Sequence, residues 1–231
     1  MILSAHQAHY LPWLGYLDKI DRADIFVFLD DVQYEKNGWQ NRNRIRTPRG
    51  WQWLTVPVHA HLSDRLLEVQ VMEKEWQKNH SKSLKSSYGK APHFSRLWDL
   101  LETLYEKEWR LLAELNWAFL EVLLRAFGIA QKRLVRSSSL HITTHATQRL
   151  VDLCKAFHAD SYFSGDGAKA YLDLALFEKA GIQVTFQNFS HPVYPQLHQK
   201  GGNFIEGLSC MDLLFNCGEE SLEVLRKARR A

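Results

Sequence analysis

The sequence predicts an α/β protein with a mainly parallel, Rossmann-like sheet and a helical subdomain, and three observations carry that prediction. Residues 25–29 (IFVFL) are continuously apolar, β-branched and aromatic, as a strand buried on both faces requires. The second half alternates short strand-like and helix-like segments with brief connections, the pattern of a sheet wound with helices. Between these parts, residues 76–127 repeat apolar side chains at helical spacing, so a helical insertion is expected at about 73–130 of a single α/β domain.

Taken in order, residues 1–5 are short and apolar and predict the first strand. The polar-aromatic turn HQAHYLPW follows, and Pro12 suits the first turn of a helix. Leu14, Tyr16, Leu17 and Ile20 place that helix over residues 12–22, returning to the strand at 25–29, so the chain opens as a strand–helix–strand unit. Residues 51–58 alternate as a strand with Pro57 near its end, residues 66–72 form another, and a polar loop with His59 and His61 lies between. Gly128 closes the helical stretch. Strands at 135–140, 161–164 and 182–186 then alternate with helices at 148–157, behind a Thr143 or Thr144 cap, and at 168–180. The tail, 204–217 and 219–229, reads as helical.

Composition bounds the function. A hydrophobic content of 45% sustains a large core, and the net charge of +3 is too mild to imply general nucleic-acid or membrane binding. No run approaches a membrane span, and the N-terminus lacks a basic segment followed by a long apolar one, so a cytoplasmic protein is expected. The odd set of Cys154, Cys210 and Cys217 reads as reduced core thiols. His59 and His61 have no accompanying ligand motif, so no metal site is expected, and no motif identifies a cofactor.

The stretch 24–45 has the densest functional chemistry. After Asp30 and Asp31 come Gln33, Tyr34, Lys36, Asn37, Trp39, Gln40, Asn41, Arg42, Asn43 and Arg44, almost without aliphatic residues. Ligands bind at the carboxyl ends of strands in open α/β sheets, and such a loop can grip a planar or anionic ligand. The alternative is a basic loop that only covers a sheet edge. Lys36, Arg42 and Arg44 would neutralise phosphate, while the amides of Gln40, Asn41 and Asn43 would read sugar or base. A nucleotide-sugar is the expected kind of partner.

Three further motifs are candidates. His6, Gln7 and His9, with Tyr10, follow the first strand and precede a helix, an order similar to the HxGH motif that holds phosphates in nucleotidyltransferases, or else histidines satisfied at a strand end. Ser164, Gly165 and Asp166, with Lys169, occupy a strand-to-helix turn where two glycines permit close backbone approach to an anion. His191, Tyr194 and Gln196 lie in a segment stiffened by two prolines, and His191 is a candidate general base because its unperturbed pKa lies near neutrality. Catalytic candidates are thus His6, Asp30, Asp31 and His191.

HQAHYLPWLGYLDKI, ADIFVFLDDVQYEKNGWQNRNRI, WLTVPV, YFSGDGAKAYLD, HPVYPQ and LSCMDLLFNCG occur in this order along nearly the whole chain. Together they resemble the WbqC-like family of bacterial proteins. The resemblance implies a place in O-antigen or other surface-polysaccharide biosynthesis, modifying an activated sugar by acyl or aminoacyl transfer. An ATP-dependent adenylyl- or nucleotidyltransferase that activates a carboxylic acid is the second reading, and a non-catalytic binding protein of a glycan pathway the third.

Overall fold

The computed structural model describes residues 1–61, 63–72, 75–129, 131–199 and 203–229. Strand β1 (Ile2–Gln7), helix α1 (Leu14–Arg22) and strand β2 (Ile25–Leu29) form the expected opening unit, and all five residues of β2 are buried. β1 runs two residues further than the apolar pattern suggests, so His6 and Gln7 sit at the carboxyl end of a strand rather than in a turn.

The polar stretch after β2 is not one loop. Arg42–Thr47 is strand β3, paired antiparallel with β4 (Gly50–Thr55) through a tight turn at Thr47 and Gly50. Its alternation is hidden in the sequence because polar and cationic residues occupy both faces. Two-residue strands β5 (Val58–His59) and β6 (Gln70–Val71) pair with each other, and a helical turn at Leu66–Glu68 replaces most of the strand expected at 66–72. Helices α2 (Glu75–Tyr88), α3 (Phe94–Glu106) and α4 (Leu112–Phe127) fill the predicted helical stretch, whose expected limits Glu73 and Ala130 lie outside the described residues. Gly128 ends α4 with φ of 78°, the left-handed conformation that glycine adopts without steric cost.

Strand β7 (Arg133–Arg136) is shorter than the expected strand because Ser137–Leu140 coils into a helical turn. Helix α5 (Ala146–Ala156) starts after His145, and Thr144 donates to the Asp152 carboxylate (2.8 Å) instead of capping. Strand β8 (Ser161–Ser164) is followed by a helical turn at Asp166–Ala170, then by α6 (Leu174–Lys179), capped by Asp173, and by β9 (Gln183–Phe186). The tail helices α7 (Met211–Cys217) and α8 (Ser221–Lys227) are present, but residues 203–208 are not helical. All three cysteines are free.

The central sheet is parallel throughout, in the order β7-β2-β1-β8-β9. Successive side chains of β2 point to opposite faces. Phe26 and Phe28 pack with α1, α4 and α7, whereas Ile25, Val27 and Leu29 pack with α5 and α6. The protein is therefore three-layered, with α2–α4 extending the thicker side. Among the described residues no helix is long and apolar enough to cross a membrane.

Candidate functional site

The strand order reverses between β1 and β8, since β2 and β7 lie on one side of β1 while β8 and β9 lie on the other. Such a switch point opens a crevice at the carboxyl ends of the strands. Here pairing between β1 and β8 ends at Leu3 and Tyr162, and the Ser4 hydroxyl, donating to the Phe163 carbonyl (2.7 Å), is the next tie. Beyond it lies a cleft of about 920 Å³, walled by the end of β1, the start of α1, the turn after β8 and the start of α5.

The floor of the cleft holds His6, His9, Tyr16 and Lys19. The His6 and His9 ring centroids are 4.6 Å apart, and the Tyr16 ring lies 4.9 Å from the first and 5.2 Å from the second. Tyr16 and Lys19 share a helix face because they are three residues apart. The Lys19 ammonium donates to the Ala5 carbonyl (2.8 Å), and burial brings its pKa down to about 7. Burial, then the nearby Lys19 charge, lowers His9 to about 3 and holds His6 well below its ordinary value, with His9 adding to the effect on His6. Both imidazoles are therefore neutral near pH 7. Burial raises the Tyr16 hydroxyl well above its usual range, which keeps it a donor.

Helix α1 supplies this corner because of how it is held. Trp13 precedes it without a side-chain cap, and the indole folds over Gly15, where a Cβ would meet ring atoms at 2.2–2.6 Å. Leu11 adopts φ of 45°, uncommon for a residue with a Cβ, and the Asn43 amide donates to its carbonyl (2.6 Å). Asp18 and Asp21 pair with Arg226 and Arg229 from the tail, which fixes the outer face of the helix.

Of the predicted site residues, the cleft gathers His6, Gln7, Trp39, Arg44, Ser164, Gly165 and Asp166. Gln7 accepts from the Gln40 amide (3.0 Å). The Arg44 guanidinium donates to the Gly207 carbonyl (3.1 Å) and lies over Trp51, 5.2 Å from the ring centroid. Asp166 accepts from the backbone of Asn188 and Phe189 and pairs with Lys169; these contacts hold its carboxyl below its ordinary value although burial opposes them. Lys169 lies outside the lining.

The other predicted residues are engaged elsewhere. Gln40 donates to Gln7 and the Gln33 carbonyl and accepts from the Glu35 N–H, Asn41 donates to the Val56 carbonyl, and Asn43 holds the Leu11 loop. These amides are buried and tie the protein together rather than facing the cleft. Arg42 stacks on Trp53 (4.3 Å) and donates to the Asn37 carbonyl. Lys36, Asn37 and Gln33 are exposed outside the lining, and Tyr34 is buried. The Tyr10 hydroxyl bonds His80 and Tyr105 (2.9 Å each) in the helical core.

The acid and base candidates separate as well. Asp30 accepts from Ser137 and Ser138 in the turn after β7. Asp31 takes two bonds from Arg149 (2.5 and 2.6 Å); with Ser137 these hold its carboxyl below the usual range despite burial. Arg149 reaches the cleft wall, but Asp30 and Asp31 do not. His191 lies among Phe189, Tyr194 and Phe204, outside the lining, with its pKa lowered by burial. Tyr194 and Gln196 donate to the buried Asp212 carboxylate (2.8 and 2.9 Å) beneath the β3–β4 hairpin. Among the described residues no cluster of His, Cys, Asp or Glu could hold a metal ion.

The sequence reading missed Tyr16, Lys19 and Arg149 as site residues. No sequence signal marked them: eight of the nine residues of α1 are buried, so its charged positions require partners or a cavity, but that burial is set by the tertiary packing.

Comparison with known proteins agrees with the motif order along the chain. The chain is similar to Uncharacterized protein Rv1507c of Mycobacterium tuberculosis (strain ATCC 25618 / H37Rv), with 37% identity over 227 residues that cover 97% of each chain. The model of the WbqC-like protein family matches residues 7–224, a span that includes His9, helix α1, the β3–β4 hairpin and the turn after β8, and the chain belongs to that family.

Proposed function

We propose that the protein is a cytoplasmic transferase of acyl or aminoacyl type, acting on a nucleotide-activated sugar in O-antigen or surface-polysaccharide biosynthesis. One observation carries this reading: a cleft of about 920 Å³ at the switch point of a parallel sheet, with two neutral imidazoles on its floor and cationic and aromatic side chains on its walls. That volume lies at the upper end of the range for small-molecule sites, roughly 300–1,000 Å³. Arg44 offsets substrate charge, Trp39 offers a ring at the wall, and the Gly165–Gly167 turn lets backbone approach the ligand closely. The neutral His6 imidazole takes the proton from the sugar hydroxyl or amine as it bonds to the acyl carbon of a thioester donor, and returns it to the thiolate that leaves when the C–S bond breaks. This assignment replaces Asp30, Asp31 and His191, which lie outside the cleft lining.

The test is a thermal-shift panel of nucleotide-sugars, acyl-CoA thioesters and ATP, followed by mass analysis of sugars incubated with the responding pair. A nucleotide-sugar shift lost in His6→Gln or Arg44→Ala, together with an acylated sugar product, supports the reading; a panel in which no nucleotide-sugar shifts the midpoint removes it. The adenylyl-transfer alternative draws on the pairing of His6 and His9 ahead of α1, and it requires Mg²⁺-dependent pyrophosphate release from ATP.

A further inference from the structure

Three polar groups on the cleft floor have incomplete bonding. The Tyr16 hydroxyl and His9 Nδ1 are buried without a hydrogen-bond partner, in residues 1% and 6% exposed. Lys19, 4% exposed, gives one hydrogen bond to the Ala5 carbonyl and has no carboxylate partner among the described residues. Native proteins satisfy nearly all buried polar groups, so three such groups on residues that line one cavity point to a ligand that completes them.

The groups packed around Lys19 define its charge. β1 contributes His6 and the loop after it His9, both neutral. On its own helix, Tyr16 is a neutral donor, and Asp18 is engaged by Arg229 (2.6 Å) and Gln187 (2.8 Å). From the end of β8 come Ser164, Gly165 and Asp166, the last paired with Lys169. A Cβ on Gly165 would sit 4.0 Å from the Lys19 ammonium, so the absent side chain keeps the approach open. α5 contributes Arg149, already paired with Asp31. Asp18, Asp31 and Asp166 thus have their own cations, Glu35 on the cleft wall accepts from the Gln7 amide (3.5 Å), and no carboxylate among the described residues pairs with Lys19.

We infer that Lys19, Tyr16 and His9 form a phosphate-binding subsite beside His6, in which a phosphate or diphosphate of the substrate is the missing ion-pair partner of Lys19. The inference deepens the reading above and rests on the substrate entering this cleft. A tetrahedral oxyanion accepts hydrogen bonds from the ammonium, the Tyr16 hydroxyl and a His9 Nδ1–H tautomer together. Binding is then linked to protonation: the free Lys19 amine titrates at about 7, the bound anion holds it protonated, and the complex takes up a proton. Above pH 7 affinity falls with rising pH, by up to about tenfold per pH unit.

The test uses the full chain and two probes that do not titrate near neutrality, inorganic sulfate and UDP-glucose. Their dissociation constants are measured near pH 7 and pH 8.5, and proton uptake by calorimetry in two buffers of different ionisation enthalpy. The expected result is close to one proton taken up near pH 8 and about a tenfold weakening across the range. Lys19→Met loses tenfold or more in affinity at pH 7 together with the pH slope. Tyr16→Phe, which removes one oxygen and no packing, loses affinity severalfold and keeps the slope. A slope that persists in Lys19→Met overturns the inference, as does failure of sulfate to bind at tens of millimolar. UDP-glucose binding unchanged in Lys19→Met overturns it while leaving the transferase reading in force. Sulfate capture with proton uptake, but no response to any nucleotide-sugar, upholds the subsite and removes the transferase reading.

Discussion

Two regions of this protein are rich in polar side chains, and they use them in opposite ways. In the stretch from Gln33 through the β3–β4 hairpin, the amides of Gln40, Asn41 and Asn43 each donate to an internal partner, Arg42 and Arg44 lie against Trp53 and Trp51, and the atoms left without a partner, Asn41 Oδ1 and the Nε of Arg42, Arg44 and Arg46, belong to side chains the fold already holds by other bonds. In the β1–α1 corner, fewer polar groups are present, yet Tyr16 and His9 keep unpartnered atoms and Lys19 has no counter-ion among the described residues. The density of functional groups in a sequence therefore marks a place where the fold needs hydrogen bonds. Unused bonding capacity inside a cavity marks a place where a ligand is needed, and only coordinates reveal it.

The comparison breaks most sharply at Asn43. Asn43→Ala removes the donor that holds the Leu11 carbonyl and the acceptor of the Arg44 N–H (2.8 Å) in a fully buried setting. A loss of about 2–3 kcal/mol is expected, seen as a midpoint roughly 5–10 °C lower in thermal unfolding. An unchanged midpoint would mean that the hairpin amides are not structural.

His9 tests the corner from the acid side. Its folded pKa of about 3 lies below the ordinary 6.5, so the unfolded chain binds more protons between those values and stability falls as the pH drops through that window. From pH 6.5 to 5 the His9 contribution amounts to about 2 kcal/mol of lost stability, and His9→Gln flattens that part of the urea-unfolding profile.

Lys19 has the opposite sign of effect on substitution. Below pH 7 the folded protein holds a buried ammonium, and this cost declines as the pH rises from 7 toward the unfolded value near 10.5. Lys19→Met is therefore expected to raise stability near pH 6 by about 1–2 kcal/mol, with the gain shrinking at alkaline pH. Equal or lower stability of the variant at pH 6 would show that the amine is satisfied without a ligand. The smallest effect belongs to Arg42→Ala on the exposed side of the hairpin: about 0.5–1 kcal/mol from the lost stacking on Trp53, with nucleotide-sugar affinity unchanged within twofold, whereas Arg44→Ala weakens it.

Much of the fold was legible before any coordinates. The apolar run at 25–29, the helical spacing of 76–127 and the alternation of 161–186 correspond to β2, α2–α4 and β8–α6–β9. β3 was not legible, because Arg42, Asn43, Arg44 and Arg46 present no apolar alternation; its buried face is made of Asn43 and Ile45, and cation–aromatic contacts cover the other. The site was legible in part. His6, Gln7 and Ser164 end strands that reach one edge, Gly165 and Asp166 follow there, and the rule for parallel sheets identifies that edge.

What the sequence determined by itself is the parallel α/β architecture and the family, because hydrophobic periodicity and motif order are local properties of the chain. What only the tertiary structure decided is which polar groups remain available. Asn43 meets Leu11 across 32 residues, Arg149 meets Asp31 across 118 and Arg229 meets Asp18 across 211, and these long-range pairings consume the obvious candidates. Lys19 is left in the cleft because Asp18 and Asp166 are held by other cations and no carboxylate among the described residues reaches its ammonium, a consequence of packing that no local pattern records.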